Sequence, residues 1–104
     1  MKYEVKFPSH SIEKKFAKSL DKIHETVIRE EIKKEILKLA DNPYPYNQNN
    51  PKYFKKLKPP IQFFQLVAQY RIRIRDYRVL YDVDDKKKIV WVLALRRRSE
   101  KTYR

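Results

Sequence analysis

The chain has 104 residues and carries 26 Lys and Arg against 13 Asp and Glu, a net charge of +13. It contains no Cys, no Gly and only two His, which excludes disulfides, thiolate zinc sites and Gly-rich phosphate loops and leaves too few imidazoles for a His-rich metal site. The length suits one domain spanning 1–104 with a modest core, and the charge calls for a polyanion or an acidic protein as partner. Met1 is followed by alternating charged residues, and no apolar run approaches membrane-spanning length. A cytoplasmic protein with no signal peptide and no membrane partner is therefore expected. Without Gly, tight turns are expected to draw on Asp and Asn, the residues next most tolerant of left-handed backbone.

Tyr3, Val5 and Phe7 alternate with Lys2, Glu4 and Lys6, which predicts a short half-buried strand ended by Pro8. Ser9 or Ser11 can cap the helix that follows, whose apolar stripe is Ile12, Phe16, Leu20 and Ile23. A second stripe, Ile28, Ile32, Ile36 and Leu39, marks another helix, stopped at Asn42-Pro43. The break between them falls near 21–26, with Thr26 or Asp21 as cap. Residues 42–60 hold five of the six prolines and four Asn, so they read as an irregular connector ending in Lys55-Lys56-Leu57-Lys58. Ile61 to Leu66 reads as extended. Strands follow at 68–75 and 77–83, and the stretch 89–95 is apolar on both faces, as in a central covered strand. The expected fold is α+β: an antiparallel-rich four-stranded sheet with two N-terminal helices on one face, in the order β-α-α-β-β-β.

The segment from Tyr70 to Val83 carries the most information. If Arg75-Asp76 form a two-residue turn, Ile74 faces Tyr77, Ile72 faces Val79 and Tyr70 faces Tyr81. A one-residue slip pairs apolar side chains with arginines instead. The same register sets Arg73 directly opposite Arg78, with Arg71 on the same face. Like charges paired across strands destabilise a sheet, so an anionic ligand or acidic partner is implied. A plain solvated face, with arginine stems covering apolar surface, is the competing explanation. Three features weigh against it. The excess is Arg, suited to bidentate phosphate contacts. The arginines gather in one sheet and one tail. Tyr77, Trp91 and Tyr103 lie in the same third of the chain and can stack on bases, although core packing suits Tyr70, Tyr81 and Trp91 better.

With no Cys, no metal-ligand cluster and no acid pair in the sequence, one reaction fits this chemistry. RNA supplies its own nucleophile when a 2′-OH attacks the neighbouring phosphate, and the protein has only to align it, stabilise charge and move protons. Tyr103, set among Arg97, Arg98, Lys101 and Arg104, is the candidate proton acceptor. No cofactor is called for.

The run from Tyr70 to Tyr81, the strand at 89–95 and the ending Arg96-Arg97-Arg98-Ser99-Glu100-Lys101-Thr102-Tyr103-Arg104 resemble the RelE/ParE superfamily of bacterial and archaeal toxins. The upstream strand, the two helices and Lys56-Leu57-Lys58 fit the same plan. The resemblance implies a toxin of a type II toxin–antitoxin pair, with a cognate antitoxin as partner. RelE-like members cut mRNA in the ribosomal A site without metal, so mRNA and ribosomal RNA are further implied partners. By position, Arg78 matches the strand arginine at the scissile phosphate, Arg97 the tail arginine, and Tyr103 the C-terminal tyrosine that aligns or deprotonates the 2′-OH. Arg71 and Arg73 match RNA-orienting residues of the preceding strand, and Lys58 a basic residue before the hairpin. Lys56, Arg75, Arg96 and Arg98 complete the expected RNA-binding set. Many relatives have Gly in the hairpin turn, where this chain has Arg75-Asp76. The tail carries one extra residue between Glu100 and Tyr103, so Arg98 is an alternative to Arg97. Two other readings stay open: a ParE-like inhibitor of DNA gyrase, and a non-catalytic nucleic-acid-binding module.

Overall fold

The computed structural model describes residues 2–98; Tyr103 and its neighbours in 99–104 lie outside the described residues. The elements are β1 (Glu4–Lys6), α1 (His10–Asp21), α2 (Thr26–Lys38), β2 (Phe54–Phe63), β3 (Leu66–Ile74), β4 (Tyr77–Asp84) and β5 (Ile89–Arg97). Ser9 caps α1: its extended backbone (φ −154°) lets Oγ accept the Ile12 N–H at 3.2 Å. The start of α2 differs from expectation. Glu25 stands at the cap position without a side-chain cap bond, and Thr26 is already helical. Arg29 ties this end down instead, donating to the Ile23 carbonyl and, at 3.1 Å, to Thr26 Oγ1.

Among the described residues the sheet has five strands, not four, in the order β1-β5-β4-β3-β2. The missed strand is β2, which occupies the end of the Pro-rich stretch read as an irregular connector. Prolines 59 and 60 are tolerated because β2 is the outer strand, where an absent N–H need not break a ladder. Its pairing with β3 shifts register between Lys56 and Ile61, and the Lys58–Pro59 peptide is cis. The genuinely irregular part, 42–53, is built from Asn side chains. Asn42 Oδ1 accepts the Tyr44 N–H at 3.1 Å, and Asn47 Oδ1 accepts the N–H groups of Asn49 and Asn50 at 2.8 and 3.2 Å.

The left-handed turn positions overturn one expectation. Among the described residues they are held by Phe64 (φ 57°), Arg75 (φ 54°) and Lys88 (φ 57°), not by Asp or Asn. Aspartate contributes hydrogen bonding there instead, as where Asp84 Oδ1 accepts the Lys87 N–H at 2.9 Å.

The register of β3 with β4 is the one the apolar alternation demands: Tyr70 with Tyr81, Ile72 with Val79, Arg73 with Arg78, Ile74 with Tyr77. The main core lies between the helices and this apolar face, where Phe16, Ile32 and Ile36 meet Ile72, Val79 and Tyr81. Tyr81 is fully buried and its hydroxyl donates to the Pro43 carbonyl at 2.7 Å, anchoring the Asn-rich loop. A second cluster forms on the opposite face. There Leu80, Leu93 and Ala94 are covered by Leu57, Ile61, Phe63 and Leu66, because the outer end of the β2–β3 hairpin folds over the sheet. Ala68 belongs to this second cluster and not with Tyr70 and Ile72 as the alternation suggested. Helix α1 bridges the two cores, giving Phe16 to the first and Ile12 to the second. It can do so because β1 pairs with β5 only over Ile89–Trp91 and leaves the later half of β5 open to the helix. Strand β5 is accordingly apolar on both faces, as predicted. Trp91, expected in the core, is half-buried and joins neither cluster; it lies opposite Asp82.

Candidate nucleic-acid interface

The pairing of Arg73 with Arg78 is extended by β5, which sets Arg96 opposite Arg78. Three arginines thus form a row across three adjacent strands on the face away from the main core. Directly opposite residues have Cβ atoms about 5 Å apart, and like charges at that spacing cost from several tenths to about 1 kcal/mol per pair. The next row, Arg71, Leu80 and Ala94, is apolar except for Arg71. Past it the hairpin tip rises over the face and walls that side of the arginine row.

The individual arginines are fixed in different ways. Arg71 is only 6% exposed and donates to the Lys52 carbonyl at 2.7 Å, so it pins the approach to β2 from beneath the surface. Arg73 is half-buried, its Nε donating to the Arg75 carbonyl at 3.2 Å. Arg75 points elsewhere: Nε donates to Glu31 Oε1 at 2.7 Å, clamping the hairpin to α2. Arg96 holds its guanidinium 5.5 Å from the Phe63 ring centroid, and its Nε is buried without a hydrogen-bond partner among the described residues.

The tail arginines separate by alternation. Arg97 pairs with Tyr77, on the side of the helices, and with Lys22 and Ser19 lines a polar cavity of about 370 Å³. The Arg98 N–H donates to the Asp76 carbonyl at 2.6 Å just past the end of β5, and alternation from Arg97 assigns Arg98 to the face of Arg96 and Arg78. Tyr103 lies outside the described residues. Lys58 is exposed in the irregular part of β2, and Lys56 falls opposite Tyr70, whereas Lys55 falls opposite Arg71 on the arginine face. Lys55 was not singled out in the sequence, because its face follows only from the β2–β3 register.

The aromatic residues are also redistributed. Tyr77 packs against the main core on the far side of the sheet and cannot stack on bases at the arginine row. Phe63 and Phe64, which the sequence did not single out, stand beside Arg96. Proton transfer by the buried tyrosines is disfavoured. Burial pushes the Tyr81 hydroxyl up, and burial together with hydrogen bonds to carboxylates does the same for Tyr53 (to Glu35, 2.5 Å) and Tyr44 (to Asp85, 2.7 Å). These groups hold their protons at neutral pH.

No curated protein matches the sequence. Among solved structures, the RelE of an archaeal RelE–RelB complex from Pyrococcus horikoshii is 27% identical with a TM-score of 0.67, over 96% of this chain and 99% of that one. A mutant of the E. coli toxin RelE in the free state is 22% identical, with a TM-score of 0.56, 95% of this chain and 86% of that one covered. The toxin in the intact E. coli RelBE complex is 21% identical, with a TM-score of 0.55 and coverage of 95% and 99%. The last two likenesses concern the fold alone. The family model of the ParE toxin of the type II toxin-antitoxin system parDE matches residues 11–102. With nearly the whole chain matched by that model, this protein belongs to the RelE/ParE superfamily and is a toxin of a type II toxin–antitoxin system.

Proposed function

We propose that this toxin is a metal-independent endoribonuclease of the RelE kind, which cleaves mRNA in the ribosomal A site and so stops translation. The observation that carries this reading is the row Arg73, Arg78 and Arg96 in register across three strands. Three guanidinium groups in register on one sheet face offer planar N–H donors at matched spacing, which suits a bridging phosphate. In the reaction the 2′-oxygen bonds to the adjacent phosphorus, the bond to the 5′-oxygen breaks, and the proton lost by the 2′-OH is balanced by one delivered to the leaving 5′-oxygen. Arg78, in the middle of the row, is best placed to stabilise the charge that builds on the phosphorane oxygens. Arg98, which alternation assigns to the same face, is preferred to Arg97 as the tail arginine. Tyr103 is assigned the 2′-OH, and Lys55 and Lys58 the flanking backbone. The RelE–RelB pairing of the archaeal neighbour supports a cognate antitoxin as partner, and the charge of this face calls for acidic side chains on it. The test is a cell-free translation reaction given purified toxin, with mRNA 5′ ends mapped. New ends inside translated codons are expected, and intact mRNA on translating ribosomes would sink the proposal.

The match to a ParE family model favours a second reading, inhibition of DNA gyrase by the same fold without catalysis. A supercoiling assay separates the two: inhibited gyrase with uncut mRNA reverses the ranking.

A further inference from the structure

We infer that the β2–β3 turn is a nucleobase-stacking wall for single-stranded RNA lying along the arginine row, with Phe64 as the stacking surface. The inference rests on the RNA reading above and adds to it a site for a base. Phe64 is 79% exposed and holds a left-handed backbone at φ 57°. A bulky side chain at such a position is disfavoured twice, by the backbone and by the uncovered ring. Gln62 fixes the turn by donating its amide to the Phe64 carbonyl at 2.5 Å. The ring is therefore presented on a shaped turn and not left on a loose loop.

Its surroundings favour an anionic, aromatic ligand. Lys15 Nζ sits 5.2 Å from the Phe64 ring centroid, and the Arg96 guanidinium 5.5 Å from that of Phe63. Between the turn and the sheet is a cavity of about 280 Å³, lined by Gln62, Phe63, Phe64, Leu80 and Arg96, close to the small end of small-molecule sites. Arg96 belongs to both the cavity and the row, and its buried Nε has no acceptor among the described residues. A phosphate on the row thus delivers a neighbouring base to the turn, where an apolar floor and a ring face await it. Stacking of this kind tolerates any base, so Phe64 would add affinity and fix the reading position without choosing sequence.

The test uses the full chain, free of antitoxin, and a short single-stranded RNA carrying one 2-aminopurine, whose fluorescence falls on stacking. With wild type, quenching on binding is expected. Phe64→Ala should weaken binding about tenfold and abolish the quenching, with the salt dependence unchanged, and Phe64→Trp should restore both. Arg73→Ala should reduce the salt slope and leave quenching at saturation in place. Because Phe64 is exposed, a thermal melt of Phe64→Ala is expected to overlay wild type. If wild type binds the RNA while Phe64→Ala binds and quenches equally, the stacking wall is wrong and the RNA reading stands. If Phe64→Ala keeps RNA binding but loses affinity for the antitoxin, the turn is a protein-docking site and the inference falls. If wild type neither binds nor cuts RNA, both fall together.

Discussion

The two faces of one sheet are built by alternate residues of the same strands, yet they satisfy opposite requirements. On the helix side, Ile72, Val79 and Tyr81 meet apolar partners, and the one buried hydroxyl among them donates to Pro43. On the other side, the residues between them set Arg73, Arg78 and Arg96 in a row. The second face is covered where the β2–β3 hairpin folds over Leu80 and Ala94, and Arg71 and Arg73 donate to the Lys52 and Arg75 carbonyls. The first face stabilises the fold by burial, and the second sets like charges opposite one another. The contrast says where to look for function, because like charges held in register gain nothing from folding alone.

Substitutions on the two faces should behave in opposite ways. Ile72→Ala, at a fully buried position, is expected to cost about 2–5 kcal/mol in urea unfolding through lost burial and the cavity left behind. Arg78→Ala is expected to lower mRNA cleavage by about 10²–10³-fold, the scale for removing one electrostatic donor from a reacting centre, without loss of stability. A loss of stability like that of Ile72→Ala would mean that Arg78 is structural. The tyrosine hydroxyls give the comparison a pH dependence. Tyr44, Tyr53 and Tyr81 have their pKa values pushed above the ordinary 10.0, so the folded state binds their protons more tightly than the unfolded chain does. Their contribution is complete below pH 10.0 and lost as pH rises beyond it, so the melting temperature should fall steeply in that range. Tyr53→Phe should soften the fall, and a flat profile above that pH would contradict the assignment.

Smaller effects sharpen the picture. Lys88→Gly should raise stability by about 1 kcal/mol by relieving a left-handed lysine, offset in part by its lost contact over Tyr3, with Lys88 Nζ 5.0 Å from that ring centroid. Arg73→Gln should be neutral or stabilising by several tenths of a kcal/mol, since it removes one charge from the row. A destabilising result there would show that the row is compensated within the chain.

The legible part of this protein was local. Apolar alternation fixes which residues of 70–81 share a face. A two-residue turn then fixes the cross-strand partners, so Arg73 opposite Arg78 followed from the sequence alone. The α1 stripe was equally plain and its cap was narrowed to Ser9 or Ser11, since both depend on neighbours three or four positions away; the structure selects Ser9. The boundary before α2 was not, because no side chain caps the helix at Glu25, and Arg29 in the first turn instead donates back to the Ile23 carbonyl. Strand β2 was hidden by Pro59 and Pro60, whose usual meaning is reversed at a sheet edge. Which residues took left-handed backbone was also out of reach: with no Gly available, Phe64, Arg75 and Lys88 accept it under tertiary constraint.

At the candidate site the same division holds. The sequence by itself determined the arginine face, its pairing at Arg73 and Arg78, and the family resemblance that the comparisons bear out. Only the tertiary structure decided that Arg96 completes the row and that Lys55 falls opposite Arg71. It also decided that two phenylalanines, far from Arg96 in sequence, wall the same cleft. The reason is physical: a strand's period of two assigns faces within each strand, but the order of strands and the bend of a hairpin over a sheet are set by contacts between residues distant in the chain.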